Sequence, residues 1–280
     1  MEKKAIVFDI VRSSFVDGDG IRTTVFFKGC NMRCKWCHNP EGLDKGVQML
    51  FYEDKCTNCG KCAEACQSKE NCTLCGRCAL FCPNDAREIC GKEYTKEKLL
   101  DEIVKDKSYY EASGGGVTLS GGECMLNTDF LCELLPLCKK EGINIAIDTA
   151  GNVDFREFKK ILPYVDTFLY DIKCVTSSLH KEFTGVTNEK IIENLKRLKQ
   201  RGADLIIRVP VIGGFNDTDE EMGKIAALVR EINPRKCELL PYHNLGEHKY
   251  EVTGVPYMIF ETPDEKRIAH LKELLNKTNI

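Results

Sequence analysis

The sequence has little that would place it in a membrane, on a nucleic acid or outside the cell. No apolar run approaches the length of a bilayer-spanning helix, so no membrane association is expected. Lysine and arginine (40) nearly cancel aspartate and glutamate (43), leaving a formal charge of −3. With no basic excess there is nothing to hold a polyanion, and no nucleic-acid partner is expected. The start, Met1-Glu2-Lys3-Lys4 before a short β-like run, lacks the apolar core and cleavage site of a secretory signal. The cytoplasm is therefore the expected location. Apart from one doubled cysteine motif there is no internal repeat. A chain of 280 residues, 42% hydrophobic and 30% charged, suits one large α/β domain with room for a small insertion.

What the chain does have is cysteine, 17 residues in all. In a reducing compartment, closely spaced cysteines point to metal rather than to disulfides. Three fall at 30–37 and eight at 56–82, while Cys90, Cys124, Cys132, Cys138, Cys174 and Cys237 are scattered and should pack as small hydrophobes. The first group is Cys30-Asn-Met-Arg-Cys34-Lys-Trp-Cys37, on a loop just after the strand-like run 24–29. A [4Fe–4S] cube has four corners, and electron-transfer clusters fill all four with protein ligands. Three tightly spaced cysteines without a nearby fourth leave one iron open, as catalytic metal sites do. A small molecule carrying an amino and a carboxylate group could chelate that iron. Structural zinc sites usually join two separated pairs, and this spacing fits them poorly.

The second group is Cys56-x2-Cys59-x2-Cys62-x3-Cys66, then Cys72-x2-Cys75-x2-Cys78-x3-Cys82-Pro83. This is the bacterial ferredoxin run written twice, in which the fourth cysteine of each run ligates the other cluster. The expected sets are Cys56, Cys59, Cys62 and Cys82 on one cube, and Cys66, Cys72, Cys75 and Cys78 on the second. Residues 50–90 show no sustained helical or strand period and read as a metal-held ferredoxin-like insert. Electron relay to the first cluster and a purely structural or docking role are both open for it.

Outside the insert, residues 1–49 and 91–280 alternate between strand and helix patterns. Strands are expected at 5–10, 24–29, 117–119, 143–148, 166–172, 204–211 and 237–240. Helices are expected at 95–108, 127–141, 154–162, 188–201, 217–232 and 264–276. Such alternation implies parallel βαβ units, about six of them, and a partial (β/α)6 TIM-like barrel. Barrel sites lie at strand C-terminal ends, where Ser120-Gly121-Gly122-Glu123, Asp148-Thr149 and Tyr170-Asp171-Ile172-Lys173 fall. Paired glycines let backbone approach a ligand, and a carboxylate can accept from a ligand ammonium. Two carboxylates and a hydroxyl are hard ligands for a small cation. Arg208 and His243 continue the pattern on the last two strands, although His243 could equally be a satisfied structural histidine.

The C-x3-C-x-aromatic-C triad, with Trp36 in the aromatic position, resembles the signature of the radical S-adenosylmethionine (SAM) superfamily. Together with Gly-Gly-Glu, Asp-Thr and Asp-x-Lys it resembles the activating enzymes of glycyl radical enzymes, in family order from about residue 8 to 250. Phe15-Val-Asp-Gly-Asp-Gly-Ile-Arg22 resembles that family's V-D-G-P-G-x-R stretch, departing at Asp19 where proline is usual. Cys124 likewise replaces a usual proline or alanine and could lie near the active site.

The resemblance implies SAM on the open iron of the Cys30/Cys34/Cys37 cluster, held by Trp36, Gly121, Gly122, Glu123, Lys173, Arg208 and His243. It implies a monovalent cation, Na+ or K+, at Asp148, Thr149 and Asp171, and Asp17 orienting a loop of the partner. The implied activity is reductive cleavage of SAM to a 5′-deoxyadenosyl radical, which takes hydrogen from a glycine of a glycyl radical enzyme under anaerobic conditions. No side chain need act as acid or base. Three [4Fe–4S] clusters and an electron donor such as flavodoxin or ferredoxin complete the expected set. The insert favours a dehydratase, decarboxylase or lyase partner other than pyruvate formate-lyase.

Overall fold

Strand segments that are apolar or small at every position need cover on both faces, and this chain supplies them in succession. The computed structural model describes residues 2–68 and 71–277, with ten strands and eleven α-helices among them. β1 (Lys4–Ser14) runs antiparallel to β2 (Arg22–Phe27). β3 (Gln48–Phe51) and β4 (Arg87–Cys90) form a separate antiparallel pair, and β5 (Lys92–Thr95) joins the other side of β1. β6 (Gly116–Gly121), β7 (Asn144–Thr149), β8 (Thr167–Asp171), β9 (Leu205–Val211) and β10 (Lys236–Pro241) extend in parallel from β2. The large sheet thus runs β10-β9-β8-β7-β6-β2-β1-β5.

Helices fill the intervals. α1 (Lys61–Ala65) and α2 (Arg77–Leu80) lie between β3 and β4, and α3 (Lys96–Val104) and α4 (Lys107–Ser113) lead to β6. α5 (Thr128–Lys140), α6 (Phe155–Ile161), α7 (Ser177–Thr184), α8 (Glu189–Gln200) and α9 (Asp219–Ile232) provide the crossovers up to β10. α10 (Glu247–Thr253) and α11 (Glu265–Lys277) follow. Six parallel strands with crossover helices make an open (β/α)6 partial barrel, as the alternating pattern predicts.

The core sits where strand and helix faces meet. Val117, Leu119, Ile145, Ile147 and Ile207 are fully buried in the sheet, against Leu131, Leu134 and Leu135 of α5 and Leu195 and Leu198 of α8. Each such side chain contributes about 1.5–3 kcal/mol relative to exposure. The expected helix 95–108 is in fact two, α3 and α4, meeting at Lys105–Asp106. There the Asp106 carboxylate accepts from Arg12 and from the Thr23 hydroxyl, tertiary bonds that a local period does not encode. Sequence patterning also missed α7 and α10, both short and largely polar.

The cysteine-rich segment keeps its sequence repeat in its backbone. Asn58 and Leu74, sixteen residues apart, both have positive φ (55° and 53°). Gly60 and Gly76 repeat at the same offset (76° and 75°), each opening a short helix, α1 and α2. Its strand pair begins at Gln48, two residues before the expected boundary at 50.

One glycine is demanded by the sheet itself. Gly121 has φ +114°, and a Cβ there would stand 2.2 Å from the Phe27 nitrogen and 2.3 Å from its oxygen. Gly121→Ala is accordingly expected to destabilise the fold by about 3 kcal/mol or more, read as a shifted guanidinium midpoint by circular dichroism. An unchanged midpoint would mean that β2 and β6 are less tightly apposed.

Candidate active site

The loop after β2 carries the cysteine triad and is pinned from several directions. Gly29 N–H donates to Gly42 O (2.8 Å) and Cys30 N–H to Leu43 O (3.1 Å). Arg33 and Lys35 N–H donate to the Thr184 and Phe183 carbonyls at the end of α7, and the Tyr250 hydroxyl donates to Cys37 O (2.7 Å). Trp36, 6% exposed, packs on Phe215 with ring centroids 4.6 Å apart and meets Phe260 edge-on at 6.1 Å. The indole thereby fixes the loop to the barrel as well as forming part of its wall.

Cys30, Cys34, Trp36 and Cys37 line a cavity of about 510 Å3 at the C-terminal ends of the parallel strands. Gly121, Gly122, Asp148, Thr149, Asp171, Lys173, Arg208 and His243 line it too, as does Asp17. Burial pushes the three thiols up, Cys30 and Cys37 to about 11 and Cys34 to about 12. A bound metal would reverse that, since coordination deprotonates a thiol. Among the described residues no three His, Cys, Asp or Glu side chains are drawn together at ligand spacing.

The far wall is a charged group. Lys173 Nζ donates to Asp171 Oδ2 (2.9 Å), and the Ser120 hydroxyl donates to Asp148 Oδ2 (2.6 Å). Arg208 faces three carboxylates at separations too long for hydrogen bonds: Asp17 and Asp148 at 3.7 Å and Asp171 at 3.8 Å. Burial alone would lower both cations, but Asp171 holds Lys173 above its ordinary range, and Asp148, Asp171 and Asp17 do the same for Arg208. Burial pushes the Asp148 carboxyl up against the pull of Arg208. Arg208 Nε and Nη1 and Asp171 Oδ1 are buried without a hydrogen-bond partner. Three carboxylates against two cations leave one negative charge in excess.

Three of the expected residues also have structural roles. Gly121 and Gly122 line the cavity, but their lack of a side chain serves the chain's own packing. A Cβ on Gly122 would fall 2.4 Å from Gly29 O and 2.5 Å from Gly42 O, on the cysteine loop. Glu123 is 2% exposed and is not among the residues lining the cavity. Its carboxylate accepts from Thr149 Oγ1 (2.7 Å), Ala150 N–H (3.0 Å) and Met125 N–H (3.2 Å), bracing the end of β6 to the end of β7. Burial pushes it up to about 7 while those three bonds pull it down. Cys124 is buried behind the wall, its thiol donating to Asp148 O at 3.4 Å.

In the cysteine-rich segment, Cys56, Cys59, Cys62 and Cys82 line one cavity of about 210 Å3, the set that combines the two runs. Of the other set, Cys66 donates to Ser68 O (3.2 Å) and Cys78 lies 4.0 Å from the Met49 sulfur. Cys72 and Cys75 are exposed.

Residues 24–229 match the family model described as the Radical SAM superfamily. The chain is 42% identical to the trans-4-hydroxy-L-proline dehydratase activating enzyme of Clostridioides difficile, over 98% of this chain and 97% of that one. It is 39% identical to the choline trimethylamine-lyase activating enzyme of Oleidesulfovibrio alaskensis, over 94% and 91%. This chain belongs to the radical SAM superfamily, among the activating enzymes of glycyl radical enzymes. A solved domain of a pyruvate-formate lyase-activating enzyme from Bacteroides vulgatus superposes with a TM-score of 0.51 at 27% identity, covering 59% of this chain and 96% of that one.

Several residues around this cavity escaped sequence reasoning. Ile212 and Tyr242 line it, and Phe183, Phe215 and Phe260 build the aromatic shelf behind Trp36. They come from segments far apart in sequence, so no spacing links them. The entrance stretch shows why Arg22 is there. It is 2% exposed, and its guanidinium donates to the Thr118 hydroxyl and to the Asp19, Val117 and Asn144 oxygens, locking the turn that presents Asp17. Glu123→Gln should cost about 1–3 kcal/mol, because an amide turns one acceptor into a donor facing N–H or O–H groups. Thermal melts of the two proteins side by side would measure it, and equal melting would remove Glu123's bracing role.

Proposed function

We propose that this enzyme binds SAM in the 510 Å3 cavity and uses it to activate a partner glycyl radical enzyme. The observation that carries this reading is the convergence on one cavity of the cysteine triad and a charged wall whose Arg208 Nε and Nη1 and Asp171 Oδ1 are buried without a hydrogen-bond partner. Buried polar groups without partners are costly, and a zwitterionic ligand would satisfy them. The donor set fits a [4Fe–4S] cluster on Cys30, Cys34 and Cys37 with one iron left for SAM. When bound and reduced, the cluster supplies the electron that splits SAM into methionine and a 5′-deoxyadenosyl radical, which takes a hydrogen atom from a glycine Cα of the partner.

The chain's own residues bind, orient and shield. Lys173 and Arg208 would hold the SAM carboxylate, Gly121 and Gly122 would offer backbone to its amino group, and Trp36 and His243 would flank it. Glu123 holds the end of β7 through Thr149 and Ala150 and would brace the glycine pair beside the ligand. The excess negative charge suits a monovalent cation on Asp148, Thr149 and Asp171. Asp17, on the rim with the exposed Phe15 and Val16, would orient the incoming glycine loop. The cysteine-rich segment would carry two further [4Fe–4S] clusters, on Cys56, Cys59, Cys62 and Cys82 and on Cys66, Cys72, Cys75 and Cys78. It would pass electrons from a flavodoxin or ferredoxin. The partner would be a dehydratase, decarboxylase or lyase other than pyruvate formate-lyase.

The test is to reduce the anaerobically reconstituted protein with SAM and a glycyl radical enzyme encoded beside it, then record the EPR spectrum. A glycyl radical that needs all three components is expected. SAM cleavage with no radical on the partner would overturn the activase reading, and no cleavage would overturn SAM chemistry altogether.

A further inference from the structure

Lys28 is an unusual place for an ammonium group. It is only 3% exposed, two residues ahead of Cys30, and forms no ion pair among the described residues. A lysine is seldom fully buried, and burial here lowers its pKa from the ordinary value. Its three N–H donors have three acceptors on three different chain segments. Nζ reaches Glu41 O at 2.7 Å, Gln48 Oε1 at 2.7 Å and the Cys90 sulfur at 3.8 Å.

Those acceptors mark the neck of the cysteine-rich segment. Gln48 and Cys90 face each other as the closing pair of the β3–β4 ladder, so Lys28 grips the chain both where it leaves for the segment and where it returns. Past Cys90 the chain runs so close to the lysine stem that a Cβ on Gly91 would meet Lys28 Cδ at 2.8 Å. Glu41, the third contact, sits in a 3-10 turn at Pro40–Gly42 whose Gly42 O accepts from Gly29 and whose neighbour Leu43 accepts from Cys30. The Glu41 side chain pairs with Lys249 at 2.6 Å, and the next residue, Tyr250, holds Cys37 O. One ammonium therefore ties the neck to both ends of the triad loop.

We propose that Lys28 is a positioning residue: it fixes the cysteine-rich segment relative to the triad loop and so sets how fast an electron passes from one to the other. This rests on the relay reading above. In that step a reduced flavodoxin would give up one electron, which clusters held by the segment's cysteines would carry to one held by Cys30, Cys34 and Cys37, with no bond made or broken. Lys28 touches none of the reacting groups and acts through Gln48, Cys90 and Glu41. A merely structural lysine would affect all routes of reduction alike. A positioning lysine should affect only the route through the segment.

The experiment compares two reductants on the full, reconstituted chain, following the rate at which the iron–sulfur absorbance bleaches before SAM is added and the 5′-deoxyadenosine formed after it; the two readouts should change together. Lys28→Met keeps the stem and removes the donors, while Gln48→Leu removes one acceptor from the other side and serves where Lys28→Met loads iron poorly. With reduced flavodoxin, cleavage should fall about tenfold for Lys28→Met and less for Gln48→Leu, the scale that loss of a supporting contact imposes on a preorganised site. With titanium(III) citrate, both variants should stay within about twofold of the parent. Equal losses with both reductants, or none with either, would overturn the proposal. A Cys59→Ser/Cys75→Ser variant separates the two ideas. Full flavodoxin-driven cleavage in that variant sinks the relay itself, whereas its loss together with an unaffected Lys28→Met sinks only the role of Lys28.

Discussion

Replacing Cys30, Cys34 or Cys37 singly with alanine is expected to reduce SAM cleavage about a thousandfold or more while leaving the fold intact, because residues that hold one group act as a unit. The fold should survive because the loop is held mainly by backbone bonds. Gly29 and Cys30 are tied to Gly42 and Leu43, Arg33 and Lys35 to Thr184 and Phe183, and Cys37 O to Tyr250. None of these uses a thiol. Trp36 stays seated between Phe215 and Phe260 whichever cysteine is removed. On the proposal of three cubes, iron content should fall by about a third. Iron assay, EPR and quantified 5′-deoxyadenosine check the three parts independently. A variant that lost one cube yet still cleaved SAM would place the chemistry on the cysteine-rich segment instead.

The second large effect is expected at Arg208. Arg208→Met leaves Asp17 and Asp148 facing a neutral side chain, and Asp171 with Lys173 alone. Removing one partner from a buried charge group costs about 3–5 kcal/mol, because the charges left behind are uncompensated. Here the loss should appear chiefly as weaker SAM binding, by about a hundredfold or more, since a 1.4 kcal/mol change is tenfold. The triad lies on a separate loop, so the reduced cluster's EPR signal should persist without its SAM-dependent change. Arg208→Lys should recover part of the affinity, because a point charge replaces the charge but not the planar fork. SAM binding unchanged in Arg208→Met would assign the guanidinium to holding Asp17 alone.

The parts of this site that were legible in the sequence are those in which chemistry and spacing coincide. The triad needs its three cysteines within eight residues. The parallel strands need apolar runs such as Ile145–Ile147 and Phe168–Tyr170, buried on both faces, so their ends could be found and with them Asp148 and Asp171. What could not be read was which neighbour each residue would meet. Gly121 and Gly122 have the form of a ligand cradle, yet their clashes would be with Phe27 and the cysteine loop, contacts about ninety residues away in sequence. Glu123 has the form of a ligand carboxylate, and no pattern showed that it would also accept from Thr149, Ala150 and Met125. The break between α3 and α4 depends on Arg12 and Thr23 reaching Asp106, which no local period records. Lys28 stands outside the motifs read from the sequence, and its place is revealed by its bonds to Gln48 and Cys90 and the register of that pair.

That register has a bearing on inheritance. The cysteine-rich stretch leaves and rejoins the rest of the protein through one facing pair, so its two ends are already neighbours. A single insertion or deletion at that pair could add or remove the whole stretch without moving any of the six parallel strands. Between relatives, its presence and its length can therefore vary in one genetic step, while the strand ends that line the main cavity keep their positions.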